Sequence, residues 1–210
     1  MIGIEARVLT PFYYHGLHVD GGSATYAEVI TDTTLLFALA ATFSPHYRVL
    51  RAKGDTAYRE DLKTLPWRAS LLTGVHTQAL PPVRHVADVV REGGYTERFR
   101  RSTGSGNYKT TFLVHEVAAG SRYQGLLTGL NPFRQLGVES LIVRIGVGRL
   151  GMLELTANKT VEVVRLNAAT ARLFERNEEQ VKEEYRVLDT IRVSVPFSLQ
   201  DAERELAAWC

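Results

Sequence analysis

The chain is nearly without cysteine. Among its 210 residues only Cys210 is one, so neither an intrachain disulfide nor a thiolate metal cluster can form. That suits a reducing compartment. Long hydrophobic runs are missing too. The nearest, TLLFALAATF at 34–43, falls short of membrane-spanning length and has polar neighbours. The first residues, MIGIEARVLTPFYYHG, hold neither the basic leader nor the apolar stretch of a signal peptide. These absences predict a soluble cytoplasmic protein with no membrane partner. Charge of one sign is also lacking: the formal net charge is +2, so any polyanion site must arise by local clustering. His46, His76, His85 and His115 are scattered, and neither a Ser/His/Asp order nor a G-x-S-x-G elbow is present.

What is present is an ordinary globular composition. An apolar fraction of 45% predicts a sizeable core. Residues 2–10, IGIEARVLT, alternate, with Ile2, Ile4, Ala6 and Val8 on one face of a strand. Residues 11–23 read as an aromatic, glycine-containing loop. Three- and four-residue spacing over 24–43 predicts an amphipathic helix, N-capped by Ser23 and kinked or split near DTT at 32–34. Pro45 stops it.

Further on, TAYREDLKTL predicts a short helix and ASLLTGVHTQAL a strand. PPVRHVADVVREGG reads as a short helix or an extended run. YTERFRR at 95–101 and YKTTFLV at 108–114 read as strands flanking STGSGN, a long hairpin. GSRYQGLLTGLNPFRQLG reads as loop with a short helix. Strands follow at SLIVRIGV, MLELTA and TVEVVRL, the last two joined at Asn158-Lys159. Residues 168–186 read as helix-rich, with the acidic run ERNEEQVKEEYR as an exposed helix face. TIRVSVPF is a last strand. Ser198 with Asp201 three residues on marks a capped terminal helix. The sum is an α+β chain of antiparallel strands with a few helices.

GVGRLG at 146–151 fits G-x-G-x-x-G. A dinucleotide site needs a helix after it, and the alternating MLELTANKTVEVV follows instead. Two readings stay open. One is a glycine-relieved bend between strands. The other is a close backbone approach to phosphate, with Arg144 and Arg149 beside Gly146 and Gly148. HGLHVD places His15, His18 and Asp20 within six residues, but a glycine-rich loop does not impose zinc geometry. No metal and no cofactor is expected. His15 beside Tyr13 and Tyr14 suits stacking on bases, or plain loop packing.

The hairpin concentrates the charge. From Tyr95 to Thr111, Arg98, Arg100, Arg101 and Lys109 stand against Glu97, a local net of +3 in a chain of +2. Alternation places Arg98 and Arg100 on one face, and Tyr95 and Phe99 with Arg101 on the other. Guanidinium and aromatic groups together suit single-stranded nucleic acid, because phosphates pair and bases stack. A solvated hairpin with snorkelling arginines is the plainer reading.

These residues resemble a known family. A first strand, a loop and TYAEVITDTTLLFALA are similar to the N-terminal half of the CRISPR-associated Cas-five proteins of the RAMP superfamily, nearest the type I-D variant called Csc-one. SLIVRIGVGRLGMLEL resembles the family's strand, glycine-containing loop and strand. The resemblance covers 1–45 and 140–166.

It implies one domain over 1–210: a ferredoxin-like (RRM-type) antiparallel sheet with helices and an inserted β-hairpin thumb at 95–114; the patterning, and not the resemblance, adds a helical C-terminal region at 167–210. The resemblance implies a non-catalytic subunit of a type I Cascade complex that caps the 5′ handle of the crRNA. The backbone subunit and the large subunit would be its partners, with target DNA near the PAM as a further one. Tyr13, Tyr14 and His15 would stack on bases. Arg98, Arg100, Arg101 and Lys109 would hold phosphates, and Arg144, Gly146, Gly148 and Arg149 would border the handle. One branch of the family cleaves precursor crRNA without metal. The alternative is therefore an endoribonuclease using His15 or His18 with a neighbouring tyrosine. A protein-interaction domain unrelated to RNA is the third reading.

Overall fold

The computed structural model describes residues 1–14, 17–19, 22–43, 55–88 and 109–209. Alternation makes the first strand, β1 (Ile2–Thr10), with Ile4, Ala6 and Val8 buried as expected. Two short strands follow, β2 (Leu17–Val19) and β3 (Gly22–Ala24), then β4 (Val29–Ile30).

The first helix, α1 (Asp32–Thr42), starts eight residues later than its spacing suggests. Its N-cap is Thr31, whose hydroxyl accepts from the Thr34 amide at 3.2 Å, and not Ser23, which lies in β3. Val29 and Ile30 are paired with Thr73 and Leu72 and cannot also be helical. The DTT step thus begins the helix instead of splitting it. α1 is buried on several sides through Leu35, Leu36, Ala38, Leu39 and Ala40.

Next come α2 (Asp55–Thr64), β5 (Trp67–Ala69), β6 (Leu72–His76), β7 (Val83–Asp88) and β8 (Lys109–His115). The stretch expected to be loop at 122–129 is a strand, β9 (Arg122–Gly129), at the centre of the main sheet. Its glycines disguise it. A Cβ on Gly125 would lie 2.8 Å from Leu72 Cδ2 and 2.9 Å from Ser70 Oγ, so close strand approach requires glycine there.

α3 (Pro132–Leu136), β10 (Ser140–Ile145), a single 3-10 turn at Val147–Arg149, and β11 (Gly151–Ala157) follow. β12 (Val163–Val164) does not form a hairpin with β11 across Asn158-Lys159; it pairs with β15 (Phe197–Ser198). The Asn158 amide instead donates to the Gly3 carbonyl at 2.7 Å.

The acidic run is not a helix. α4 (Ala168–Leu173) ends before it, and β13 (Glu183–Leu188) pairs with β14 (Ile191–Ser194). A cross-strand ion pair joins Glu183 to Arg192 within that hairpin, and two more tie it to the rest of the chain, Glu183 to Arg172 in α4 and Glu184 to Arg165 just after β12. The terminal helix α5 (Leu199–Ala207) is capped as expected, Ser198 Oγ accepting from the Asp201 amide at 3.2 Å.

In the main sheet the order is β10-β11-β1-β9-β6-β4, with β5 also on β9 and every pairing antiparallel. Within it β1, β6, β9 and β11 stand in the order β11-β1-β9-β6. With α1 in the first crossover and α3 in the second, this is the ferredoxin-like arrangement. The fold is α+β, as the patterning predicts.

A second sheet runs β2-β3-β8-β7. β7 and β8 leave the core between β6 and β9. Their register pairs Asp88 with Lys109 and Val83 with Val114, so the described arm facing 109–114 is 83–88. The expected strand at 95–101 lies outside the described residues. Among the described residues no helix is long and apolar enough to cross a membrane.

Candidate nucleic-acid interface

Where β1 ends, the chain turns at Pro11 and presents Phe12, Tyr13 and Tyr14. Phe12 is locked by mutual backbone hydrogen bonds with Val117, at 2.8 and 3.4 Å. The Tyr14 amide donates to Thr25 Oγ1 at 3.0 Å. The glycine-containing turn closes onto the same segment. The Val147 amide donates to the Tyr13 carbonyl at 2.9 Å.

Two glycines make that closure sterically feasible. Gly151 sits where a Cβ would lie 2.4 Å from Phe12 Cβ. Gly146 has φ +79°, and a Cβ there would lie 3.1 Å from both Phe12 Cβ and the Tyr13 carbonyl oxygen. The bend reading of GVGRLG is therefore the structural role of Gly146 and Gly151. Gly148 sits within the 3-10 turn itself.

The turn also orients cations. Arg149 holds φ +55°, an unusual backbone state for a residue with a side chain. The Arg144 guanidinium donates to the Arg149 carbonyl at 3.4 Å, so the two side chains leave the same corner. Together with Tyr14, Thr34, Phe37 and Gly146 they line a cleft of about 200 Å³ between β10 and α1.

Tyr14 is part of the cleft wall, not a projecting plate. Its ring meets Phe12 edge-on at 5.2 Å, and its hydroxyl is buried. Burial holds the phenol far above its ordinary pKa, with Thr34 opposing the shift. The hydroxyl therefore stays protonated at any physiological pH.

Among the described arginines, apart from backbone-bound Arg68 and the exposed Arg134, two groups stand out. In the C-terminal part, Arg165, Arg172, Arg176, Arg186, Arg192 and Arg204 each face a carboxylate. Arg144 and Arg149 are exposed and make no ion pair among the described residues, and the same holds for Arg7 and Arg122 on the main sheet. Unneutralised guanidinium groups beside a cleft suit a polyanion.

No protein-family model matches this chain, and no curated protein matches it. Among solved structures, a chain in a cryo-EM structure of the Type III-B Cmr-beta bound to cognate target RNA and AMPPnP is similar at a TM-score of 0.42. The two are 11% identical, over 93% of this chain and 84% of that one. A likeness at that level fixes neither family nor activity.

The structure thus brings together Tyr14, Arg144, Gly146 and Arg149, two segments some 130 positions apart, and sets Tyr13 beside them through its carbonyl. His15, Arg98, Arg100 and Arg101 lie outside the described residues. Lys109 opens β8 opposite Asp88. Thr34 and Phe37 were not singled out by sequence; both sit in a helix whose apolar spacing reads as core. Arg7 and Arg122 were also missed, since isolated arginines on alternating strands read as ordinary solvent-facing positions.

Proposed function

We propose that the protein is a non-catalytic subunit of a CRISPR effector complex that holds single-stranded RNA, in the form of the 5′ handle of a crRNA in a type I Cascade. The observation that carries this reading is the cleft where Tyr14, Arg144 and Arg149 converge on the Gly146 turn, its cations lacking counter-ions among the described residues. The resemblance of TYAEVITDTTLLFALA and SLIVRIGVGRLGMLEL to the Cas-five proteins supports it independently.

In this reading Arg144 and Arg149 pair with phosphates, and Tyr13 with His15 stacks on bases. Tyr14 forms part of the wall behind them. Arg98, Arg100, Arg101 and Lys109 hold further phosphates of the RNA.

Partner subunits have a surface available. Leu136, Val138, Ile142 and Leu150, exposed at 43%, 39%, 52% and 69%, lie on or beside the edge strand β10. An exposed apolar edge of this kind suits a neighbouring backbone or large subunit. Target DNA near the PAM would reach the protein through those partners.

The test is co-expression with the neighbouring subunits, gentle lysis and analysis of what co-purifies. The reading predicts a raised ratio of absorbance at 260 to 280 nm and short RNAs sharing one 5′ sequence. A nucleic-acid-free complex contradicts it. Incubating the protein with labelled repeat RNA in EDTA separates holding from cleavage. Specific cleavage abolished by His15→Ala would show the metal-independent endoribonuclease instead.

A further inference from the structure

The main sheet has a second face, turned away from α1. On β1 and β9 the residues alternating with buried Ala6, Val8 and Tyr123 are Glu5, Arg7, Arg122 and Gln124. The C-terminal segment covers one half of this face. A Cβ on Gly3 would lie 2.3 Å from the Asn158 carbonyl and 3.3 Å from Val161 Cβ, and Leu126, in register with Gly3, is fully buried. The half nearer the Gly146 turn is open, with Arg7, Arg122, Ile142 and His76 all exposed.

Arg7 and Arg122 are direct cross-strand partners on that open half. Like charges placed opposite each other repel, and here neither guanidinium has a hydrogen bond or ion pair among the described residues. Two carboxylates share the face. Glu5 accepts from Asn158 Nδ2 at 3.5 Å, and Glu154, in register with Arg7, makes no ion pair with it. Neither guanidinium is therefore held by a carboxylate among the described residues, whereas the C-terminal Arg165, Arg172, Arg176, Arg186, Arg192 and Arg204 each face one.

Arg144 is not far off. Ile142 and Glu154 share the cross-strand row of Arg7, and Arg144 is two residues along β10 from Ile142. Two strand spacings and two residue rises place the Arg7 and Arg144 Cα atoms ~12 Å apart. Long side chains on both sides shorten that gap further.

We infer that the Arg7–Arg122 pair is a second phosphodiester-binding site, which takes a single-stranded polynucleotide leaving the Arg144–Arg149 cleft across the open face of the sheet. The inference rests on the reading of the cleft as an RNA site. It adds a path for the strand and two residues that read it through phosphate alone. With no exposed aromatic side chain on β1 or β9 of this face, contact is by charge and not by base stacking.

The experiment is equilibrium binding of a labelled oligouridylate to the full-length chain over a range of salt concentrations. Compared are wild type, Arg7→Gln/Arg122→Gln and Arg144→Gln/Arg149→Gln. Each single-strand phosphate contact contributes ~0.7 to the slope of log K against log salt, so the Arg7/Arg122 variant should be flatter by about 1.4. Its thermal midpoint should not fall, because both substitutions are at exposed positions whose guanidinium groups make no hydrogen bond or ion pair among the described residues.

A wild-type slope in the Arg7/Arg122 variant, with a flattened one in the Arg144/Arg149 variant, overturns this inference and leaves the cleft standing. Absence of binding by wild type overturns both. An oligothymidylate should show the same loss as RNA. A loss confined to RNA would overturn phosphate as the ligand of the pair.

Discussion

The side-chain amide of Asn167 donates to Oδ1 of Asp32 at 3.0 Å, joining the first turn of α1 to the C-terminal part of the chain. The same amide donates to the Thr190 carbonyl, and Asn167 Oδ1 accepts from the Ala169 and Arg192 amides. One buried asparagine thus caps α4, anchors the β13–β14 hairpin and meets a fully buried carboxyl.

Asp32 makes stability depend on pH. Burial raises its pKa from 3.8 to about 6, opposed by the hydrogen bond from Asn167, and Oδ2 has no partner among the described residues. The folded state therefore keeps a proton that the unfolded state releases between those values. Stability from this group is full below about pH 4, falls as pH rises through 6, and is level above. The span is on the order of 3 kcal/mol. Urea unfolding of wild type and Asp32→Asn from pH 4 to 8 checks it; the difference between the two should follow this slope.

Closure of the turn onto Phe12 should tolerate no side chain at Gly151. Alanine there forces Phe12 aside, and Gly146→Ala strains a backbone that side chains avoid. Each should cost about 1–3 kcal/mol in urea unfolding and widen the cleft enough to weaken RNA binding.

Arg149 should show the opposite trade. Its φ of +55° suits glycine better than arginine. Arg149→Gly should leave the unfolding free energy unchanged or raise it by up to about 1 kcal/mol, while lowering RNA affinity. A destabilised Arg149→Gly protein with intact binding would assign the arginine to structure.

Tyr13 and Tyr14 should separate in their effects. Tyr13→Ala should cost about 1–3 kcal/mol of RNA binding if its ring stacks on a base, with Tyr13→Phe close to wild type. Tyr14→Ala should instead reduce stability, since its ring packs on Phe12. Calorimetry of both variants with and without RNA distinguishes them.

Much of the fold was legible where a local rule acts alone. Alternation gave β1, and Ser198 with Asp201 gave the terminal helix. β9 was hidden because Gly125 and Gly129 signal loops, whereas Gly125 answers a close approach from Ser70 and Leu72 that only the folded sheet creates. The 175–186 run reads as an exposed helix face because it is so highly charged; Glu183 instead pairs with Arg192 across β13 and β14, and Glu184 with Arg165 just after β12.

The cleft was half visible. Both of its segments stood out by composition, but what brings them together, the Val147–Tyr13 hydrogen bond and the close approach of Gly146 and Gly151 to Phe12, is written in neither segment alone. Arg7 and Arg122 carried no signal, because cross-strand register is not written in either strand by itself.

The account stands on the cleft binding single-stranded RNA through its cations. The direct measurement is the salt dependence of RNA binding by wild type and by Arg144→Gln/Arg149→Gln. The account predicts a steep linear fall of log K with log salt for wild type, and a slope flatter by about 1.4 for the variant. Equal slopes, or a wild-type protein that binds no RNA at low salt, would contradict it.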